Sequence, residues 1–188
     1  MVTHDSRETF YFIRHGQTTW NREKRVMGSS DIPLSGEGIK EAIKASLTLR
    51  KEPILTICHS PLLRAKSTAS IIQENLPGTT LVEIPELTEC NWGSKEGHAK
   101  GTWYDEWMTG LEVEGAETFV DFMKRANIGV SKALALPGPV LIVAHLGINW
   151  SIKKFLNLDS RVEIGNCIPE RYSYNANRNL WLAQKLPA

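Results

Sequence analysis

TFYFIRHG, residues 9–16, runs an apolar segment straight into Arg14, His15 and Gly16. An apolar run without polar alternation is what a strand covered on both faces requires, and such strands belong to parallel sheets packed between helices. The polar end of the segment has two readings. It is a strand reaching the surface, or it is one wall of an anion-binding site. The rest of the chain has to separate them.

Working outward, ILTIC (54–58) and VLIVA (140–144) repeat the apolar pattern, and TLVEIPEL (80–87) repeats it more weakly. Helical spacing fills the intervals. From Gly36 to Arg50, residues Ile39, Ala42, Ile43, Leu47 and Leu49 suit one helix face, with Ser35 as N-cap and Pro53 as terminator. Ser60 and Pro61 read as the N-cap and first turn of a helix running to about Leu76, stopped by Pro77-Gly78. A short helix is expected near YDEWM (104–108), a long one from Phe119 to about Leu136, and another around Asn149 to Leu156. The tail reads as a hairpin turning at Asn175 to Asn179. This alternation predicts an α/β fold, a three-layer αβα sandwich around a mainly parallel sheet. With 188 residues the chain is expected to be a single domain over 1–188, with a small cap or insert at about 88–117.

Composition narrows the function classes. A formal net charge of +1 argues against a general nucleic-acid binder. No apolar run approaches the ~20 residues that span a bilayer, and MVTHDSRETF carries no export signal, so a cytoplasmic protein with no membrane partner is expected. Cys58, Cys90 and Cys167 are widely spaced and odd in number, which fits free thiols and neither a disulfide framework nor a zinc site. No P-loop, nucleophile elbow, His-x-x-x-His or Cys-x-x-Cys pair appears, and neither metal nor cofactor is expected.

In a sheet of this kind, ligands bind outside the carboxyl ends of the strands. There the first strand brings Arg14 and His15, the second leads through His59 and Ser60 to Arg64, the third leads to Glu89, and the fourth ends at His145. Each residue alone has an ordinary structural explanation. Together, two histidines and two arginines at one sheet edge, with helix N-termini beside them, would surround a small dianion such as phosphate. His59 and His98 are assigned no chemistry.

RHGQTTWN (14–21), DIPLSGEG (31–38), SPLLRAKSTA (60–69), ELTECNWGSKEG (86–97) and VAHLG (143–147), in this order, resemble the histidine phosphatase superfamily, also called phosphoglycerate mutase-like. The resemblance implies that His15 is a nucleophile that becomes phosphorylated. It implies that Arg14, Arg64 and His145 hold the phosphoryl oxygens, with Asn21 as a further donor, and that Glu89 gives a proton to the leaving oxygen. Gly16, Gln17, Gly28 and Leu146 are expected to line the phosphate and substrate. Leu146 departs from the glycine that many relatives carry after the second histidine. Neutral imidazole can attack phosphorus at physiological pH, and guanidinium forks suit phosphoryl oxygens.

The same pocket serves phosphatases and cofactor-dependent mutases. The compact segment between Glu89 and His145, and a count of seven acidic residues against two lysines from Glu89 to Glu117, favour a hydrolase of a small phosphomonoester. The alternative is a phosphoglycerate mutase working through 2,3-bisphosphoglycerate, helped by Arg22, Lys24 and Arg25. A non-catalytic phosphate-binding relative would be expected to lose His15 or an arginine. An exposed edge strand could support a homodimer.

Overall fold

A computed structural model describes residues 9–159 and 164–187; the first eight residues, read above for export signals, lie outside them. Six strands form one sheet in the order β3-β2-β4-β1-β5-β6. They are β1 (Thr9–Arg14), β2 (Thr56–His59), β3 (Thr80–Glu83), β4 (Val140–Ala144), β5 (Glu170–Asn175) and β6 (Leu180–Lys185). The first four run parallel, and the expected tail hairpin adds β5 antiparallel to β1 and β6 antiparallel to β5. The helices are α1 (Thr19–Arg22), α2 (Gly36–Leu49), α3 (Leu63–Glu74), α4 (Trp103–Met108), α5 (Phe119–Leu134) and α6 (Leu146–Phe155).

The continuous apolar strands are explained by two cores, one on each face. Phe10, Phe12, Ile142 and Ala144 point into a layer with Phe122, Ala126, Ile148 and Ile152 of α5 and α6. Their neighbours Tyr11, Ile13, Leu141 and Val143 point the other way, toward Ala42, Ala45, Leu49, Ala69 and Ile72 of α2 and α3. This is the three-layer α/β arrangement that the apolar runs predict. At the other end of α6, the buried pair Lys153–Glu170, with N···O 3.1 Å, ties the helix to β5, and Asn149 and Tyr172 both donate to the same carboxylate.

Several boundaries and one face differ from expectation. The third strand stops at Glu83, because Pro85 cannot donate to a ladder and instead opens the 3-10 turn Pro85–Leu87. α3 starts at Leu63, with Leu62 as N-cap and no side-chain cap, since Ser60 is engaged elsewhere. α6 starts at Leu146, three residues earlier than its apolar spacing suggests. α1 was not anticipated; Thr18 and Asn21 build a capping box around it. α2 buries the small side Gly38, Ala42, Ala45 and Ser46 together with Leu49, while Ile39, Ile43 and Leu47 lie exposed. Small residues let the helix sit close to the sheet, and that closeness outweighs the larger apolar stripe one row away.

Candidate active site

The parallel ladders bring three strand ends level. Arg14 lies opposite Ala144, and His59 opposite Val143. One residue further, the His15 N–H donates to the Ala144 carbonyl (2.9 Å) and the Ser60 N–H to the Val143 carbonyl (3.2 Å). His15, Ser60 and His145 are therefore neighbours at the carboxyl edge, all buried, with the two imidazole rings 5.2 Å apart.

The hydrogen bonds of His15 select its tautomer. Nδ1 lies 2.8 Å from the Gly16 carbonyl, which can only accept, so Nδ1 carries the proton and the Nε2 lone pair is left available. Burial pushes the His15 pKa well below the ordinary histidine value, and the Arg64 and Arg14 charges push it further. His145 is lowered for the same reasons, burial first and then Arg64. Both rings are neutral at neutral pH. His145 Nε2 meets Ser60 Oγ at 2.7 Å, and its Nδ1 has no partner among the described residues.

Arg64 is fully buried, and its Nη1 and Nη2 donate to the Ser30 and Gly28 carbonyls, both at 2.7 Å. Its Nε has no partner among the described residues. Burial lowers its pKa to about 10, which leaves it charged at neutral pH. Arg14 is steadied by a bond from Nη1 to the Ile164 carbonyl (3.3 Å). The Glu89 carboxylate sits at the α6 N-terminus, accepting from the Gly147 N–H (3.1 Å) and from the Cys90 N–H (3.0 Å).

These groups face a cavity of about 560 Å³. Of the residues singled out from the sequence, Arg14, His15, Asn21, Gly28, Arg64, Glu89 and Leu146 line it. His145 is not among the lining residues, although its ring lies 5.2 Å from that of His15. Asn21 uses its carbonyl oxygen for the Thr18 N–H, which leaves its amide N–H₂ out of the capping box. Leu146 forms part of the cavity wall. Gly16 and Gln17 do not line it. Gly16 donates to Thr68 Oγ1, and the Gln17 N–H to Glu41 Oε2, so both join the loop to α3 and α2. His59 is buried with Nδ1 on the Ser60 carbonyl, and His98 is exposed; neither lines the cavity.

Four supporting residues escape the sequence reading. Ser60 carries no distinguishing spacing beyond its place at a strand end. Glu96 accepts from the Ser29 N–H, the Ser30 N–H, both serine hydroxyls and the Trp92 N–H, fixing the loop whose carbonyls hold Arg64. Those bonds outweigh burial and keep its carboxyl below the usual range. Arg125 forks onto Glu117 (2.9 and 2.6 Å) and also donates to the carbonyls of Glu86, Thr88 and Glu89, so it holds the segment that carries Glu89. Asn166 donates to the His15 carbonyl at 2.8 Å. The DIPLSGEG and ELTECNWGSKEG blocks contain or border the first two contacts, but a lone glutamate gives no sign of a partner 67 residues away.

Segment 89–117 does not turn an acidic face to the cavity, contrary to what its charge count suggests. Of its seven acidic residues only Glu89 lines the cavity, Glu96 and Glu117 being spent on the bonds just described. Lys24, Arg25 and Lys100 line it instead. Trp92, Tyr104, Trp107, Phe122 and Trp150 also belong to its wall.

Comparison with known proteins identifies the family and the fold. The sequence profile of the histidine phosphatase superfamily (branch 1) matches residues 10–174. A Yersinia pestis (strain Pestoides F) protein named "Probable phosphoglycerate mutase GpmB" is 29% identical over 190 residues, covering 92% of this chain and 87% of the other. The crystal structure of TTHB049 from Thermus thermophilus superposes with a TM-score of 0.77 at 26% identity, covering 96% of this chain and 99% of that one. A mycobacterial glucosyl-3-phosphoglycerate phosphatase does so with a TM-score of 0.78 at 25% identity, again over 96% and 99%.

Proposed function

This chain belongs to the histidine phosphatase superfamily, and from that premise we propose that it hydrolyses phosphomonoesters of small metabolites through a phosphohistidine at His15. The observation that carries the reading is the Nδ1–H bond from His15 to the Gly16 carbonyl, which leaves Nε2 as a buried, neutral nucleophile beside Arg14 and Arg64.

In the first step Nε2 attacks phosphorus, a P–N bond forms and the P–O bond to the alcohol breaks. Arg14, Arg64, Asn21 and the unpartnered Nδ1 of His145 are the groups for the phosphoryl oxygens, where they offset the charge that builds up in the transition state. Glu89, on the cavity wall at the α6 N-terminus, is the group for the leaving oxygen's proton. In the second step water attacks the phosphohistidine, Glu89 takes the water's proton, and phosphate leaves as the imidazole is regenerated. A cytoplasmic setting fits the three buried free cysteines.

Hydrolysis is favoured by what lies beyond the phosphate end. The aromatic rings there would be left uncovered by a bisphosphoglycerate, which is small and hydrophilic. A second reading rests on Lys24, Arg25 and Lys100, whose charge could seat a second phosphate for a phosphoglycerate mutase.

Phosphate release from a panel of monoesters, including 3-phosphoglycerate with and without 2,3-bisphosphoglycerate, separates the two. We expect hydrolysis to outpace isomerisation. A phosphoryl group should appear on the His15 peptide after quenching in alkali, and His15→Ala should lose on the order of 10⁴-fold in rate. Isomerisation faster than hydrolysis would overturn the hydrolase assignment, and an active His15→Ala enzyme would overturn the mechanism.

A further inference from the structure

Beyond Arg14, His15, Arg64 and Glu89, the cavity changes character. Leu146 and Trp150 stand one turn apart on α6 and both line it, as do Tyr104 and Trp107 of α4. The rings pack on one another, with Trp92 4.5 Å from Trp107 and 5.1 Å from Tyr104. Such a cluster also anchors α4, and Trp103, which does not line the cavity, belongs to it. Tyr104, Trp150 and Leu146 stay half-buried and, unlike Trp103, form part of the cavity wall.

Side-chain hydrogen-bond acceptors are what this half of the cavity lacks. Among the described residues no Asp, Ser, Thr or Gln lines it, Glu89 is held by two backbone N–H groups, and the Trp107 indole N–H is already given to the Glu117 carbonyl (2.9 Å). A sugar or glycerol leaving group would shed hydration there and find few acceptors for its hydroxyl protons. An apolar or aromatic one would bury its surface against the rings. The volume of about 560 Å³ is ample for such a group.

Charge adds a second requirement. Lys24, Arg25 and Lys100 line the same cavity, and Glu89 is the sole carboxylate among the described residues that do. Arg25 is fixed by stacking on Trp20 (4.1 Å) and by its Nε bond to the Gly97 carbonyl (2.6 Å), and Lys100 lies against the Tyr104 ring (3.9 Å). One of these charges is partly offset by the exposed Glu23, which pairs with Arg25 at 3.2 Å.

We infer that the substrate is a phosphomonoester whose alcohol carries an aromatic or extended apolar group with a second negative charge at its far end. This rests on the hydrolase reading and narrows its substrate class. The test compares kcat/KM for three alkyl esters, so that the easier departure of a phenoxide does not enter: glycerol 3-phosphate, 3-phenylpropyl phosphate and the para-carboxylate of the latter. We expect about tenfold in favour of the phenylpropyl ester over the glycerol ester, and about tenfold more for the carboxylate. Trp150→Leu should shrink the first ratio, and the double variant Lys24→Gln/Lys100→Gln should bring the second toward one. Equal rates for all three esters, or a preference for glycerol 3-phosphate, would overturn the inference while leaving the hydrolase reading intact. If no ester releases phosphate and His15 is never phosphorylated, both fall together.

Discussion

Ser60 is the hydrogen-bond partner through which the tautomer of His145 is open to test. Its Oγ accepts the Leu62 N–H (3.3 Å) and lies 2.7 Å from His145 Nε2. Where that hydroxyl gives its own proton to Nε2, which the contact distance allows, the ring accepts there. The imidazole N–H is then at Nδ1, the atom with no partner among the described residues and thus free to donate to a phosphoryl oxygen. Ser60→Ala should release the ring to the other tautomer and cost roughly 10²-fold in kcat. Nitrogen-15 NMR of His145 should report the exchange of the two ring-nitrogen shifts, and Ser60→Thr should keep the wild-type pattern. An unchanged spectrum in Ser60→Ala would end this account. Gly147 imposes a requirement of a different kind. A Cβ there would stand 2.3 Å from Glu89 Oε1 and 2.8 Å from the Phe122 ring. Gly147→Ala should therefore displace the carboxylate and lower kcat about 10²-fold. Its urea midpoint should fall as well, because the buried Phe122 ring must give way to the new methyl group.

Among the elements, the loop before Ile32 shows how the site is held from a distance. Gly28 adopts a left-handed backbone (φ 55°), and its carbonyl, with that of Ser30, grips Arg64. The loop in turn is gripped by Glu96, which is remote from it in sequence and beside it in space. Glu96→Ala would strand several donors at once, so we expect a loss of about 2–3 kcal/mol in urea denaturation together with a raised KM. A fall in kcat at unchanged KM would argue instead that Arg64 keeps its place. This arrangement marks the limit of what the sequence discloses. Phe10 to Ile13 and Val140 to Ala144 declared themselves as strands because burial on two faces leaves no room for polar alternation, and the residues at their ends followed from the sheet rule. The face of α2 was misjudged because a row of alanines is a weaker hydrophobic signal than Ile39, Ile43 and Leu47, although close packing prefers it. Glu96, Arg125 and Asn166 act through pairings across 67, 36 to 39 and 151 residues respectively, which no local spacing encodes.

For the molecule as a whole, folding places His15, His145 and Arg64 in one dehydrated group at the centre of the sheet edge. The consequence is a specific dependence of stability on pH. Both imidazoles have folded pKa values pushed below 6.5 by burial and by the neighbouring arginines. Below that value the unfolded chain binds protons that the folded chain refuses, so stability is complete above about pH 6.5 and declines as the pH falls toward the folded values. We expect the urea midpoint to drop between about pH 7.5 and pH 5.5, and the drop to become shallower in a His15→Gln/His145→Gln variant. Inorganic phosphate should oppose the decline, since an anion in the pocket favours the protonated rings and binds only the folded chain. At a hundred times its Kd it would add about 2.7 kcal/mol. A midpoint that stays flat over that range, or that falls equally in the double variant, would mean that the buried histidines are not what the acid limb of stability reports.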